Sequence, residues 1–309
     1  MAEKGSQRGY GEERSNLYAE VTSRIIAELE AGRVPWVQPW GRAKAELGLP
    51  ENAATRRPYS GINILILWGA VIARGYSSQH WLTFRQALAL GGSVRKGEHG
   101  TTVFYADRYI PKAAMDRASE MGEEPEAVAF LKRFTVFNVA QCDGLPEAAI
   151  AVPLPLPVRE IIPAAETLIA ATGADFRIGG DRAFYVPSAD FIQVPPQPAF
   201  FDQINYYRTC FHELGHWTGH VLRLNRDLAG GRGSRLYARE ELVAELASAF
   251  LCAALGIVPT VRHADYLGSW LSVLREDNRA IFRAASQASK AADFILMSCK
   301  AAETEGEAA

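Results

Sequence analysis

The sequence predicts an α+β protein that is divided into two domains. Its 309 residues leave room for two domains of ordinary size, and 48% apolar residues with 10% aromatics can supply two hydrophobic cores. Prolines occupy alternate positions from Pro153 to Pro157, a spacing that neither a helix interior nor a central strand accepts. The chain is basic and aromatic before this segment, and it shows helical patterns with histidine and glutamate after it. The proline segment is therefore expected to be a semi-rigid linker between two different domains.

These observations divide the chain into five segments. We expect a mobile N-terminus (1–14), an N-terminal domain (15–150), a linker (151–160), a C-terminal domain (161–300) and a mobile acidic tail (301–309).

Composition predicts a cytoplasmic protein. The polar N-terminus MAEKGSQRGYGEER lacks the apolar stretch of a signal peptide. No apolar run approaches the ~20 residues that a membrane helix needs. The four cysteines show no C-x-x-C spacing, which suits a reducing compartment. A net charge of −2 excludes a uniformly cationic chain.

The N-terminal domain opens with an amphipathic pattern that predicts a helix over Leu17–Ala31. The apolar run Ile62–Trp68 is assigned to the core. The glycine-rich segment Gly91–Gly100 predicts a turn that carries two cations, and Thr101–Tyr105 after it has strand character.

The C-terminal domain is expected to begin with a helix near Ala164–Thr172. Two extended segments follow, Ala183–Val186 and Phe191–Val194, joined by the turn Pro187–Asp190. A helix then carries the segment HELGHWTGH, and Asp202 is a candidate for its N-cap.

The segment HELGHWTGH contains a metal-binding motif. His212 and His216 are four residues apart, so on a helix their imidazoles lie on one face and can converge on one ion. Glu213 lies about 100° round the helix, where it can reach a water on that ion. This H-E-x-x-H pattern is typical of zinc metallopeptidases. The alternative is an amphipathic helix with two partly buried, hydrogen-bonded histidines and a solvated Glu213.

A second helical pattern, from Glu240 to Leu251, favours the metal site. It places Glu241 and Glu245 one turn apart within an apolar stretch. Buried carboxylates need partners, and a zinc ion together with a histidine N–H would supply them. One glutamate then binds the metal and the other orients a ligand. Glu240 is expected to point to solvent.

The two glutamates are assigned by resemblance. The chain resembles the gluzincin class of zinc peptidases, in which a glutamate on a second helix completes the metal site. This resemblance implies one Zn²⁺ per chain, held by His212, His216 and Glu241, with Glu245 steadying a ligand histidine. The reverse assignment of the two glutamates stays open. In such peptidases a strand pair before the zinc helix holds an extended substrate.

A third histidine ligand of the metzincin type is not supported. That pattern requires glycine and then histidine, but Leu222 stands at the histidine position. We interpret His220 as a helix-face residue or as a residue that contacts a ligand. Cys210 is expected to pack rather than to bind metal.

The predicted chemistry is peptide hydrolysis. Glu213 would take a proton from water and deliver it to the leaving amine. Tyr237 and His220 are candidate donors to the oxyanion.

The N-terminal domain has the composition of a single-strand nucleic-acid surface. From Arg56 to Lys112 there are eight Lys/Arg and two acidic residues, interleaved with aromatics. Cations can follow a phosphate backbone while aromatic faces stack on unpaired bases. The alternative places many of these aromatics in the core. The candidate contacts are Arg57, Tyr59, Trp81, Arg85, Arg95 and Lys96.

Several motifs together are specific to one family. The segments PWVQPW (35–40), RPYSGIN (57–63), WLTFRQA (81–87), VRKGEHG (94–100) and FNV (137–139) resemble the N-terminal domain of the ArdC-type antirestriction proteins. That domain also heads some conjugative plasmid primases. HELGHWTGH and YAREELVAELASAFL (237–251) are similar to the zincin-like domain of the same family. His99 stands where lysine is more usual.

The resemblance implies a plasmid- or phage-borne protein that binds single-stranded DNA and shields incoming DNA from host restriction. Two functions stay open. In the first, the zinc domain is a working peptidase that acts on host restriction proteins. In the second, zinc is structural and the protein protects DNA by occupying either the DNA or the restriction enzyme. An intact Glu213 favours the first.

Overall fold

The computed structural model describes residues 18–37, 48–110, 128–150, 158–200, 202–231, 233–258 and 267–307. It confirms the predicted α+β class with two domains. The N-terminal residues 1–14 and the prolines of 153–157 lie outside the described ranges, as do residues 308–309 of the tail.

A four-stranded sheet forms the centre of the N-terminal domain. Its order is β1-β2-β5-β4, in which β1 and β2 are parallel and the other pairs are antiparallel. The elements are helix α1 (18–30), β1 (Glu51–Asn52), α2 (Ile62–Arg74), β2 (His80–Thr83), α3 (Phe84–Ala89), β3 (Ser93–Val94), β4 (Thr101–Tyr109), β5 (Val128–Asn138), β6 (Cys142–Asp143) and α4 (Glu147–Ile150). The short strands β3 and β6 pair with each other.

The long β4–β5 ladder sets which side chains reach solvent. Val103 pairs with Phe134, and Thr101 pairs with Val136. Because side chains alternate along a strand, Val103 and Tyr105 share one face of β4, and Phe134 and Val136 share one face of β5. Near β2 this face is buried at Val103 and Val136. Further along the ladder, the same face leaves aromatic rings exposed.

Helix α2 explains why the apolar run after Gly61 is core. Its residues Ile64, Leu65, Trp68 and Val71 are buried, and the Trp68 indole N–H donates to the Gly48 carbonyl at 3.0 Å. Gly75 ends the helix in the left-handed region at φ 66°, a conformation that glycine adopts without a steric penalty. The prediction for this segment is confirmed.

The C-terminal domain combines a small sheet with a helical bundle. Its sheet order is β7-β9-β8, so β8 is an edge strand. The elements are α5 (Val158–Ala171), β7 (Asp175–Ile178), β8 (Phe184–Val186), β9 (Phe191–Val194), α6 (Ile204–Trp217), α7 (Arg235–Ala254), α8 (Leu267–Glu276) and α9 (Ala280–Glu307). Strands β8 and β9 form the predicted hairpin.

Two segment boundaries differ from the prediction. Helix α5 begins at Val158, inside the predicted linker, and contains Pro163 near its first turns. Helix α9 continues to Glu307, so most of the predicted mobile tail is helical. Alanine and glutamate favour helices, and the tail consists largely of both. No helix in the described ranges is both long and apolar enough to cross a membrane.

The two domains pack directly against each other through one hydrophobic core. The Trp68 ring of α2 lies 5.8 Å from the Phe250 ring of α7, and the Trp36 ring lies 5.6 Å from that of Trp270. The backbone N–H of Gly61 donates to the Ser289 hydroxyl of α9 at 2.8 Å. Helix α9 therefore contacts both domains.

Candidate metal centre

Close packing of α6 on α7 brings the motif histidines to the glutamates. A Cβ added at Gly215 would lie 3.0 Å from the Cα of Ala244, so a larger residue would press on the backbone of α7. Gly215 stands between the two motif histidines in sequence, and Ala244 lies one turn after Glu241. The short contact thus sets the distance between the facing side chains.

The side chains of His212, His216 and Glu241 form the centre of the site. Their ligand atoms all lie within 4.8 Å of one another, and among the described residues they are the group that could hold a metal ion. The two Nε2 atoms are 3.2 Å apart, and each lies 3.5 Å from an oxygen of Glu241. Two imidazole nitrogens and one carboxylate suit a divalent cation of the zinc type.

The outer nitrogen of each imidazole faces a carboxylate. Nδ1 of His212 lies 3.4 Å from Glu245, and Nδ1 of His216 lies 3.2 Å from Glu240. Carboxylates in this position fix the orientation of ligand histidines. The expectation that Glu240 points to solvent is wrong, because its side chain is 11% exposed.

Arg226 explains how Glu240 is tolerated inside the protein. Its guanidinium donates to both carboxylate oxygens of Glu240, at 2.7 and 3.0 Å. It also donates to the Gly215 carbonyl at 2.6 Å and to the Thr218 hydroxyl at 2.9 Å. Arg226 thus neutralises a buried charge and binds the end of α6. The sequence did not indicate a role at the site for either residue. Two ligand histidines need two carboxylate partners for their outer nitrogens, and this requirement could have pointed to a second glutamate besides Glu245.

The histidines and glutamates of the cluster shift one another's pKa values towards the charged forms. Burial lowers the pKa of His216, but hydrogen bonds to Glu240 and Glu241 outweigh it and raise this pKa to about 10. Burial also lowers the pKa of His212, but hydrogen bonds to Glu241 and Glu245 outweigh it and raise this pKa. Burial raises the pKa of Glu241, but the two imidazoles hold it far below its ordinary value. A cation at this position would therefore replace protons on the imidazoles.

A cavity of about 320 Å³ opens onto the cluster. Glu213, which is buried, lines it beside the two histidines, and so does the half-buried Tyr237. Phe184 and Tyr185 of the edge strand β8 form another part of its wall. The cluster is thus accessible from the cavity, next to a strand whose outer edge has no partner strand among the described residues.

A polar network fixes the β8–β9 hairpin to the end of α6. Arg223 donates to Asp190 in the hairpin turn and to the Trp217 carbonyl at 2.6 Å. Its guanidinium also lies 3.8 Å above the Trp217 ring. The Tyr185 hydroxyl donates to Asp190 at 2.8 Å. The wall of the cavity is therefore held relative to the histidine helix.

His220 is not on a helix face, because α6 ends at Trp217. Its Nδ1 accepts from the backbone N–H of Leu222 at 3.3 Å, and it is not among the described residues that line the cavity. Leu222, which stands at the third histidine position of the metzincin pattern, is 81% exposed. Cys210 is buried in the core. The N-cap of α6 is Gln203 and not the expected Asp202, although the Asp202 carboxylate accepts from the Ile204 N–H at 3.4 Å.

The predicted DNA contacts differ in exposure. Trp81 is fully buried in the core, with its ring edge to face against that of Tyr76 at 5.9 Å, so its assignment as an exposed aromatic is wrong. Tyr59 is partly buried against the core. Arg95 is engaged by Glu98 at 2.8 Å and by Asp143 at 3.4 Å. Arg57, Arg85 and Lys96 are exposed candidates that form no such ion pair within the described ranges.

Comparison with known proteins assigns the N-terminal and C-terminal domains to the same kind of protein. Residues 15–137 match the N-terminal domain of anti-restriction factor ArdC, and residues 163–287 match a zincin-like metallopeptidase domain. The whole fold matches the metal-free crystal structure of antirestriction protein ArdC from plasmid R388, with a TM-score of 0.76 and 40% identity. This match covers 92% of this chain and 98% of that one. The chain belongs to the ArdC antirestriction family.

Other relatives of this ArdC-family chain extend the comparison. It matches the Mn(II)-bound structure of the same R388 protein with a TM-score of 0.74, 40% identity and the same coverage. An uncharacterized protein, y4eC, of Sinorhizobium fredii is 43% identical over 284 residues, which cover 91% of this chain and 92% of the relative. Two DNA primases TraC of Escherichia coli are 41% and 39% identical. They match 92% of this chain, which spans only 27% and 20% of their lengths.

Proposed function

We propose that this protein is an antirestriction factor of a mobile genetic element that binds single-stranded DNA and carries a zinc-dependent peptidase site. It would act in the bacterial cytoplasm and protect incoming DNA from host restriction. Membership of the ArdC family supports the antirestriction role, and the likeness to TraC primases supports contact with DNA. The observation that carries the peptidase claim is the convergence of His212, His216 and Glu241 within 4.8 Å beside Glu213.

Each chain would bind one zinc ion. We assign His212, His216 and Glu241 as ligands, because their donor atoms face one another. Glu245 would orient His212 and Glu240 would orient His216, since each carboxylate lies against the outer nitrogen. The Mn(II)-bound structure of the R388 relative supports the binding of a divalent ion by this chain as well. The open cavity favours catalysis, because structural zinc sites usually close all four positions with protein ligands.

Glu213 would carry the proton in hydrolysis. A bound divalent cation supplies Lewis acidity, which polarises a carbonyl and makes a water easier to deprotonate. Glu213 would take a proton from the water as the water oxygen bonds to the carbonyl carbon, and would deliver it to the amine nitrogen as the C–N bond breaks, which leaves a carboxylic acid and a free amine. The Tyr237 hydroxyl, on the same cavity, would donate to the developing oxyanion.

The substrate would be an extended peptide segment of a host restriction protein. Strand β8 offers an unpaired edge, and its residues Phe184 and Tyr185 line the cavity. A peptide added along this edge would gain backbone hydrogen bonds. Its scissile bond would lie near Glu213.

The test is transfer of unmodified plasmid DNA into a restricting host that produces the wild-type protein or Glu213→Gln. We expect Glu213→Gln to keep its metal and its DNA affinity but to lose protection. Glu276→Gln, a change in an exposed ion pair, is the matched control. Full protection by Glu213→Gln would favour the alternative, in which zinc is structural and the protein protects by occupying DNA or the restriction enzyme.

A further inference from the structure

A groove of about 780 Å³ lies between the N-terminal sheet and the start of α9. One wall is the exposed part of the β4–β5 ladder, where Tyr105 is 50% and Phe134 is 44% exposed. Their rings contact each other edge to face, with centroids 6.4 Å apart. Two large aromatic side chains held together in solvent on a sheet face indicate a binding surface.

Another part of the groove wall is basic. Arg279, which directly precedes α9, and Arg283, in the first turn of α9, are exposed and line the groove. Arg283 pairs with Asp277, whose carboxylate also lies 3.5 Å from Arg239. Asp277 is therefore shared by two arginine side chains, and no acidic residue is among the described residues that line the groove, so this wall keeps positive charge. The Arg279 guanidinium lies 5.0 Å from the Tyr18 ring centroid, which holds it at the groove.

We infer that this groove is the binding site for single-stranded DNA, built jointly by both domains. The inference rests on the proposed DNA-binding function and gives it a location. Unpaired bases can stack on the faces of Tyr105 and Phe134, while Arg279 and Arg283 contact the phosphates of the same strand. In a duplex the base faces are already stacked, so duplex DNA can use the cations but not the rings.

The groove provides what the glycine-rich turn lacks. Arg95 in that turn donates to two carboxylates, Glu98 and Asp143, and to the Ala140 carbonyl, whereas Arg283 in the groove shares the single carboxylate of Asp277 with Arg239. Trp81, one of the two candidate rings, is buried. In the groove, two exposed rings and two exposed arginines line one cavity.

The test is fluorescence anisotropy of a labelled oligothymidylate with the full-length protein over a series of salt concentrations. Tyr105→Ile with Phe134→Ile removes both ring faces but keeps strand propensity. We expect this variant to lose affinity at least tenfold with little change in salt slope. Tyr105→Phe keeps the ring and should bind normally. Arg279→Ala with Arg283→Ala should flatten the slope by about 1.4, at ~0.7 per phosphate contact.

The matched comparison is Arg95→Ala with Lys96→Ala in the glycine-rich turn, which should bind almost as the wild type does. Normal binding by both groove variants, with loss in the turn variant, would overturn the groove while leaving single-stranded DNA binding intact. Failure of the wild type to bind the oligonucleotide would overturn both. Unchanged melting temperatures of the exposed-site variants would exclude unfolding as the cause of any loss.

Discussion

The carboxylate of Glu240 lies 3.2 Å from Nδ1 of His216, while Nε2 of the same ring lies 3.5 Å from Glu241. The imidazole is thus held between one carboxylate on its inner side and another on its outer side. Arg226 binds both oxygens of the outer carboxylate. This arrangement makes Glu240 a positioning residue for the proposed ligand His216.

Glu240→Gln should lower zinc affinity roughly 10- to 100-fold, the usual effect of losing a carboxylate behind a ligand histidine. The protein should stay folded, because glutamine can still accept from Arg226 and His216. Competition with a chromophoric chelator measures the affinity. Glu276→Gln, in an exposed pair with Arg235, should change nothing. Equal zinc affinity in Glu240→Gln and Glu276→Gln would show that Glu240 does not position a zinc ligand.

Glu241→Ala should reduce zinc affinity more than Glu245→Ala does. Glu241 offers its oxygens to both Nε2 atoms, whereas Glu245 lies against Nδ1 of His212. We expect a loss of roughly 10- to 100-fold for Glu245→Ala and a larger one for Glu241→Ala. The same chelator competition gives both values. The opposite order would exchange the two assignments.

The sequence predicted the residues that share a helix face in the metal centre better than Glu240 and Arg226, which lie behind His216. Helical spacing alone brings His212 to His216 and Glu241 to Glu245, because residues four apart share a face. Arg226 and Glu240 meet only through the chain path from α6 to α7, which no local period encodes. Trp81 was misplaced for a related reason. Its strand has only four residues, and so short a pattern does not reveal whether both faces of the strand are covered.

Trp81→Ala should act on stability rather than on DNA affinity. The side chain is fully buried in the core, and removal of a large aromatic from a core costs about 3–5 kcal/mol. Urea unfolding followed by circular dichroism measures this loss. Arg85→Ala, at an exposed neighbour, should leave the free energy of unfolding nearly unchanged. A stable Trp81→Ala protein with weakened DNA binding would restore the surface assignment.

Asp190→Asn should destabilise the protein at neutral pH but not in acid. The hydrogen bond from Arg223 holds the Asp190 pKa below its ordinary value of 3.8, although burial opposes it. A lowered folded-state pKa stabilises the protein above the unfolded value, and this contribution disappears as pH falls through the folded-state value. Asparagine tolerates the left-handed backbone at Asp190 (φ 50°), so the variant removes the charge without straining the backbone.

The measurement is the difference in unfolding free energy between the wild type and Asp190→Asn from pH 7 down to pH 3. We expect a constant difference above about pH 5 that shrinks below 3.8. A difference that is independent of pH across this range would show that the Arg223 pairing contributes through shape and not through charge.

The most direct test of the metal centre is the metal-to-chain ratio of the full-length protein, measured by elemental mass spectrometry after zinc loading and removal of excess ion. We expect one zinc per chain for the wild type and for Glu213→Gln, because Glu213 acts as a base and not as a ligand. We expect loss of that zinc in His212→Ala and in His216→Ala. A wild-type protein without zinc, or histidine variants that retain a full equivalent, would contradict the proposed metal centre.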